Sequence, residues 1–226
     1  DVTLEELGGA MAHASKSGVA TFVAEDEKAV LDDVRYLLSF LPQNNMEEPP
    51  VSDTTDDPER MCESLRDILP ASPNQPYDMQ KVIAEVVDDS EFFEYFPHWA
   101  KSIVCGFSRL DGKPVGVMGN QPMAFAGVLD IESSEKAARF VRTCDAFGIP
   151  LIVIADVQGF LPGAGQEWEG AVRRGAKLLH AFGESVVPRV TLITRRAYGG
   201  AYVAMNSKSL GATRVFAWPQ AEVSVM

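Results

Sequence analysis

The sequence predicts an α/β domain built on a largely parallel sheet, and three observations carry that expectation. Leu151–Ala155 is a continuous apolar run of strand length, the mark of a strand covered on both faces. Strand-like runs at Leu151–Ala155, Arg189–Thr194 and Arg214–Ala217 alternate with helix-like ones, an order that calls for crossovers and parallel pairing. Asp111-Gly112, a strong hairpin signal, joins two more strand-like runs, Ser102–Leu110 and Lys113–Gly119.

The elements follow in order. Thr3-Leu4-Glu5-Glu6 reads as a capping box opening a very short helix that Gly8-Gly9 stops. A second helix is expected from about Glu25 to Leu41. Its apolar residues Val30, Leu31, Val34, Leu37, Leu38 and Leu41 keep helical spacing, and Pro42 ends it. Residues 42–76 carry seven prolines among acidic and amide residues and read as an acidic linker between two domains. Asp78 caps a short helix through Val87. Beyond the hairpin, Ser133 or Ser134 is the expected cap of a helix with the stripe Ala137, Phe140, Val141, Cys144 and Phe147, closed by Gly148. After the Leu151–Ala155 strand, a glycine-rich loop leads to a helix from about Gln166 to Phe182. Then come the strand Arg189–Thr194, a loop Arg195–Gly199, a helix from Gly200 and the strand Arg214–Ala217.

Composition narrows the function classes. The net charge of −12 argues against a nucleic-acid binder, and no window approaches 18 uninterrupted apolar residues, so a helical membrane span is not expected. Residues 1–100 hold 22 acidic and 6 basic side chains, and residues 101–226 hold 10 and 14. The second half is therefore the better place for an anionic ligand, unless the first half simply has more solvated surface. Cys62, Cys105 and Cys144 are far apart and odd in number, and the three histidines are equally scattered. That pattern predicts buried thiols in a reducing compartment, with neither a disulfide frame nor a metal site. The chain does not begin with Met and stops at Val225-Met226 inside a strand-like run, so a fragment is expected.

In folds of this class ligands collect at the carboxyl ends of the strands. Three loops qualify: Asn120-Gln121-Pro122 with Ala126-Gly127, Asp156 through Gly163, and Tyr198 through Tyr202. The third places a glycine pair between a strand and a helix, where bare backbone N–H groups can hold a developing oxyanion. The competing reading is a tight turn that needs glycine for positive φ. Other signals are weaker. The run from Gly170 to Lys177 lacks the phosphate-loop ending and falls inside a helix. No nucleophile elbow is present. Glu167 is a candidate base or a helix-start carboxylate, and His180 reads as structural. Arg173-Arg174 with Lys177, and Arg195-Arg196, are phosphate contacts or solvated basic faces.

Those loops carry a resemblance. Asn120-Gln121-Pro122, Glu135 through Phe140, Asp156 through Gly163, Arg173 through Leu179 and Ala197 through Tyr202 resemble the carboxyltransferase (β) subunit of biotin-dependent acyl-CoA carboxylases, of the propionyl-CoA and acetyl-CoA type. Leu4 through Gly9 and Ser72 through Asp78 match as well, so the resemblance spans essentially the whole chain. Gln158 departs from it, standing where the family more often has proline.

The resemblance implies a crotonase-like (ClpP/crotonase) spiral α/β fold. It divides the chain into the end of an N-terminal carboxyltransferase domain (1–41), the linker (42–76) and a truncated C-terminal domain (77–226). It implies transfer of a carboxyl group from carboxybiotin to the α-carbon of a short-chain acyl-CoA, through two oxyanion holes. The biotin hole maps onto Gly200 and Ala201. The thioester hole belongs to a glycine-rich loop upstream of Asp1. Phe160, Leu161, Gly163, Tyr202 and Val203 are then the substrate-binding candidates, with Val203 resembling an acyl-chain selector. No metal is required. The cofactor is biotin carried on a partner domain, the other ligand acyl-CoA. The implied partners are a biotin carboxylase and biotin carrier subunit and further copies of the chain, dimers assembled to a hexamer in the cytoplasm. A biotin-dependent decarboxylase or transcarboxylase subunit is the sister reading, and a non-catalytic assembly subunit is the reading from another class.

Overall fold

In the computed structural model, which describes residues 1–225, the chain folds around one seven-stranded sheet. Helix α1 (Leu4–Gly8) opens on the Thr3–Glu6 capping box, and Glu6 N donates to Thr3 Oγ1 at 3.2 Å. The chain does not stop at Gly8-Gly9 as expected. It continues through α2 (Ala10–Ala12) and a π-turn over His13–Ser17 before Gly18 ends it in a left-handed conformation. Helix α3 spans Glu27–Leu38, with Asp26 as its cap. Its stripe is corrected by the structure. Val30, Leu31, Val34 and Leu38 are exposed, and only the C-terminal turn, with Tyr36, Leu37, Phe40 and Leu41, packs on the core.

Residues 42–76 hold no α-helix or strand, only a 3₁₀ turn at Glu63–Arg66. The segment is nevertheless fastened. Ser52 N donates to Gly112 O, Arg60 reaches Asp56 and the Val87 carbonyl, and Leu65, Ile68 and Leu69 pack against the sheet. Helix α4 (Met79–Val86) follows under the expected Asp78 cap.

Strands β1 (Phe93–Glu94), β2 (Ile103–Leu110) and β3 (Lys113–Asn120) are antiparallel. The Asp111-Gly112 turn has both residues at positive φ (52° and 73°), the twist that a two-residue hairpin needs. Asp88 accepts both turn amides. From β3 onward the sheet is parallel: β4 (Leu151–Val157), β5 (Arg189–Tyr198), β6 (Arg214–Ala217) on one side of β5, and β7 (Glu222–Ser224) also paired with β5. The strand-like run ending the chain is thus β7, and Met226 lies outside the described residues.

The sheet is covered on both faces, which explains the unbroken apolar run of β4. Residues 151, 153, 155 and 157 face α5 (Ile131–Ala146) and α7 (Ala171–Glu184), while Ile154 faces α4 and the 65–69 stretch. Three expectations need correction. The cap of α5 is Asp130, and Ser133 only returns the bond from inside the first turn. The expected single helix from Gln166 is two, α6 (Ala164–Trp168) and α7, broken where Gly170 takes φ 85°. The expected loop Arg195–Gly199 does not exist, because β5 runs on to Tyr198 and α8 (Gly199–Ala204) starts directly.

Lys136 is the unexpected member of the core. It is fully buried, and its ammonium donates to the carbonyls of Phe96, Trp99 and Ile103 at 2.9–3.0 Å. Three carbonyls match the three protons of an ammonium, which is how a buried cation survives. Burial alone lowers its pKa. The clamp fixes the irregular Phe96–Ile103 connection that feeds β2.

Candidate active site

The parallel register brings the three expected loops to one edge. Gly119 pairs with Ile154 and Val157 with Ala197, so β3, β4 and β5 end side by side. Asn120 closes the first junction. Its amide donates to Gly127 O and its carbonyl accepts Asp156 N. The second loop is zipped to the first, since Leu129 N donates to Gly159 O and Leu161 N to Leu129 O.

Opposite β4, the strand β5 takes up extra residues between Ile193 and Ala197, and this irregularity turns Arg195 onto Asp156. The Arg195 guanidinium pairs with Asp156 Oδ2 at 2.9–3.0 Å and also donates to the carbonyls of Pro73 and Gln75. It stacks over Tyr77, whose hydroxyl meets Thr194. Burial drives the Tyr77 pKa well up, so that hydroxyl stays protonated. The sequence left Arg195 and Arg196 open as a basic face. Both are buried, each 8% exposed. The available signal was the apolar run on either side of them, which marks a strand and not a loop.

Helix α8 stands at the end of β5 with Tyr198 as its cap residue, and no side chain caps it. The N–H groups of Gly199, Gly200 and Ala201 therefore lack intrahelical acceptors and carry the positive end of the helix. The two glycines differ. Gly199 sits at φ 56°, so the turn itself asks for glycine there. Gly200 has ordinary φ, and a Cβ built on it would meet nothing within 4 Å. Neither conformation nor protein packing requires glycine at 200. Open space therefore lies beside the Gly200 backbone.

The other candidates divide. Ala201 is buried and Tyr202 packs on the core, whereas Val203, next on the same helix, is 38% exposed. Gly163 opens α6 at φ 143°. Phe160 and Leu161 are held by the bridge to Leu129, and the Phe160 ring lies against Gly175 of α7, so its contact here is with that helix. Arg174 and Lys177 are occupied by Glu135, and their hydrogen bonds and charge hold its carboxyl down to about 2. Arg173 lines a groove of about 450 Å³ between α5 and α7 with Arg139 and Arg142. Among the described residues no cluster of metal-ligating side chains occurs, and no helix is long and apolar enough to cross a membrane.

The strand ends of this two-sided α/β sheet present main-chain donors, which can hold a developing negative charge. Residues 1–226 match the family model described as the carboxyl transferase domain, and the chain belongs to that family. It is 55% identical over 226 residues to the methylmalonyl-CoA decarboxylase subunit alpha of Veillonella parvula, covering 100% of this chain and 44% of that protein. It is 55% identical over 225 residues to the propionyl-CoA carboxylase beta chain of Roseobacter denitrificans, again covering 100% and 44%. Its fold matches the transcarboxylase 12S structure, described as a hexamer assembly with methylmalonyl-coenzyme A bound, at TM-score 0.97 and 48% identity, covering 100% and 44%. The architecture is thus the crotonase-like fold of the carboxyltransferases. The chain spans less than half the length of these relatives.

Proposed function

We propose that this chain forms the biotin-facing part of a carboxyltransferase that moves a carboxyl group between carboxybiotin and the α-carbon of a short-chain acyl-CoA. Gly200 carries the reading, as a glycine that neither its φ nor its surroundings require, beside the uncapped amides of α8. Carboxybiotin supplies the transferable carboxyl group. The N–H groups of Gly200 and Ala201 would hold the biotin ring and stabilise the negative charge left on it, and each such donor is worth about 3–4 kcal/mol of barrier. The missing side chain at 200 lets the flat ring reach those amides. The Asp156–Arg195 pair and the Leu129 zipper hold the strand ends rigid around it.

Both directions of transfer use the same donors. The decarboxylase named among the relatives keeps the decarboxylation reading open beside the carboxylation one. The proposed partners are a subunit bearing biotin and further copies of this chain. The hexameric transcarboxylase supports the second. We place residues 1–41 at the end of an N-terminal unit, 42–76 as its connection and 77–226 in the C-terminal unit. The three unpaired thiols fit a reducing, cytoplasmic setting. The test is carboxyl exchange between labelled methylmalonyl-CoA and free biotin by the protein in its native assembly. Label in biotin is expected, and exchange unaffected by blocking α8 would sink the assignment.

A further inference from the structure

Lys136 on α5 is fully buried, and among the described residues no carboxylate forms an ion pair with it. Its ammonium is engaged wholly by main chain, the carbonyls of Phe96, Trp99 and Ile103. The loop it holds is not relaxed. Phe96 and Ala100 take φ of 54° and 48°, in the left-handed region where a side chain is costly. Such a conformation persists only where its surroundings over-determine it, and the three bonds to Lys136 span both residues. The same loop holds the edge of the candidate site. Ser102 O accepts Gln121 N at 2.8 Å, and Ile103 stands opposite Asn120 in the β2–β3 register. Asn120 in turn donates to Gly127 O and accepts Asp156 N, at the junction of the first two strand-end loops. An unbroken run of contacts therefore leads from the ammonium to the ends of β3 and β4.

We propose that Lys136 is a positioning residue for carboxyl transfer: its three bonds hold the strained 96–103 loop in the shape that sets the loops after β3 and β4 beside the end of β5. The reaction it serves rests on the carboxyltransferase reading, whereas the hold on the loops stands on geometry alone. Three converging carbonyls ask for three donors, which an ammonium has. Glutamine offers two and methionine none. A purely structural Lys136 would set stability and leave the chemistry of the folded protein untouched.

The experiment compares wild type with Lys136→Met, a side chain of similar length without donors, each in its native assembly. Carboxyl exchange between methylmalonyl-CoA and free biotin should lose roughly 10- to 100-fold in kcat per folded protein, with KM for the thioester little changed, since a misplacement of about 1 Å is enough for such a loss. Amide hydrogen exchange should quicken at Gln121 and Asp156, whose N–H groups are bonded along that route, and keep its wild-type rate in the middle of α7. Adding Ala100→Gly to Lys136→Met should restore part of both, because glycine takes φ 48° without steric cost. Lowered stability with wild-type kcat and wild-type protection at Gln121 would make Lys136 structural only and overturn the proposal. So would a loss of protection spread evenly over the helices. Should Lys136→Met fail to fold, Lys136→Gln decides by the same two readouts. A wild-type protein without carboxyl exchange would instead fail the carboxyltransferase reading, and protection at Gln121 would then decide the hold on the loops.

Discussion

Replacing Gly200 with alanine should move stability and catalysis in opposite directions. The new methyl group meets no protein atom within 4 Å and the backbone already has negative φ, so the folded state accepts it. Alanine also loses less backbone entropy than glycine, a gain of a few tenths to about 1 kcal/mol in a helix. The same methyl group stands where the proposed ring must touch the amides. Thermal denaturation and exchange kinetics on Gly200→Ala therefore report together: an unchanged or raised Tm with a fall in kcat of tenfold or more. Full activity would remove Gly200 from the site. Ala201→Pro deletes one donor N–H outright and should cost about 10²–10³ in rate with little change in acyl-CoA affinity. Val203, aliphatic and 38% exposed on the same helix, is the chain-length candidate. Val203→Phe should reduce kcat/KM for propionyl- and butyryl-CoA more than for acetyl-CoA, within the 10–200-fold that one methylene allows. A common factor for all three would leave Val203 without a selective role.

At the scale of elements, α5 and α7 are stapled by Glu135 to Arg174 and Lys177. The Glu135 carboxyl is held at about 2, against roughly 4.3 in an unfolded chain. A depressed carboxylate gives its stability above the unfolded value and loses it as pH falls toward the folded one. Solvent reaches Arg174 and Lys177, so the contribution is on the order of 1 kcal/mol. The stability difference between wild type and Glu135→Gln should be constant above about pH 5 and vanish near pH 2, as followed by urea denaturation. Elements were legible in the sequence where one physical signal dominated. Asp111-Gly112 had a turn type only such residues satisfy, and Leu151–Ala155 was apolar because both faces are covered. Lys136 was illegible as a type, yet its place on the stripe with Ala137, Phe140 and Cys144 marked it as inward-facing. Arg195 and Arg196 read as loop because charge was weighed over the strand around them. The stripe of α3 misled because amphipathic spacing says which residues share a face, not which neighbour covers it.

For the molecule as a whole, the candidate site was legible only in its backbone part. Glycines and their spacing can be read from a sequence, whereas the Asp156–Arg195 pair joins residues 39 apart through a strand irregularity that no local pattern announces. That pair ties three regions, β4, β5 and the 72–77 turn, into one unit. Asp156→Asn leaves Arg195 buried without its counter-charge and should cost about 3–5 kcal/mol, read as a lowered denaturation midpoint. The fastening of residues 42–76 has a consequence for enzymatic digestion. By composition this acidic, proline-rich stretch is where an endopeptidase would be expected to enter. It is, however, pinned through the backbone at Ser52, Pro73 and Gln75 and through the side chains of Asp56, Arg60 and Cys62, leaving only the run from Gln43 to Pro50 unheld by distant residues. A glutamate-specific protease should thus cut after Glu47, the bond after Glu48 being blocked by Pro49, and spare Glu59 and Glu63, although all three are exposed, and the two pieces should stay together through the sheet until it is denatured.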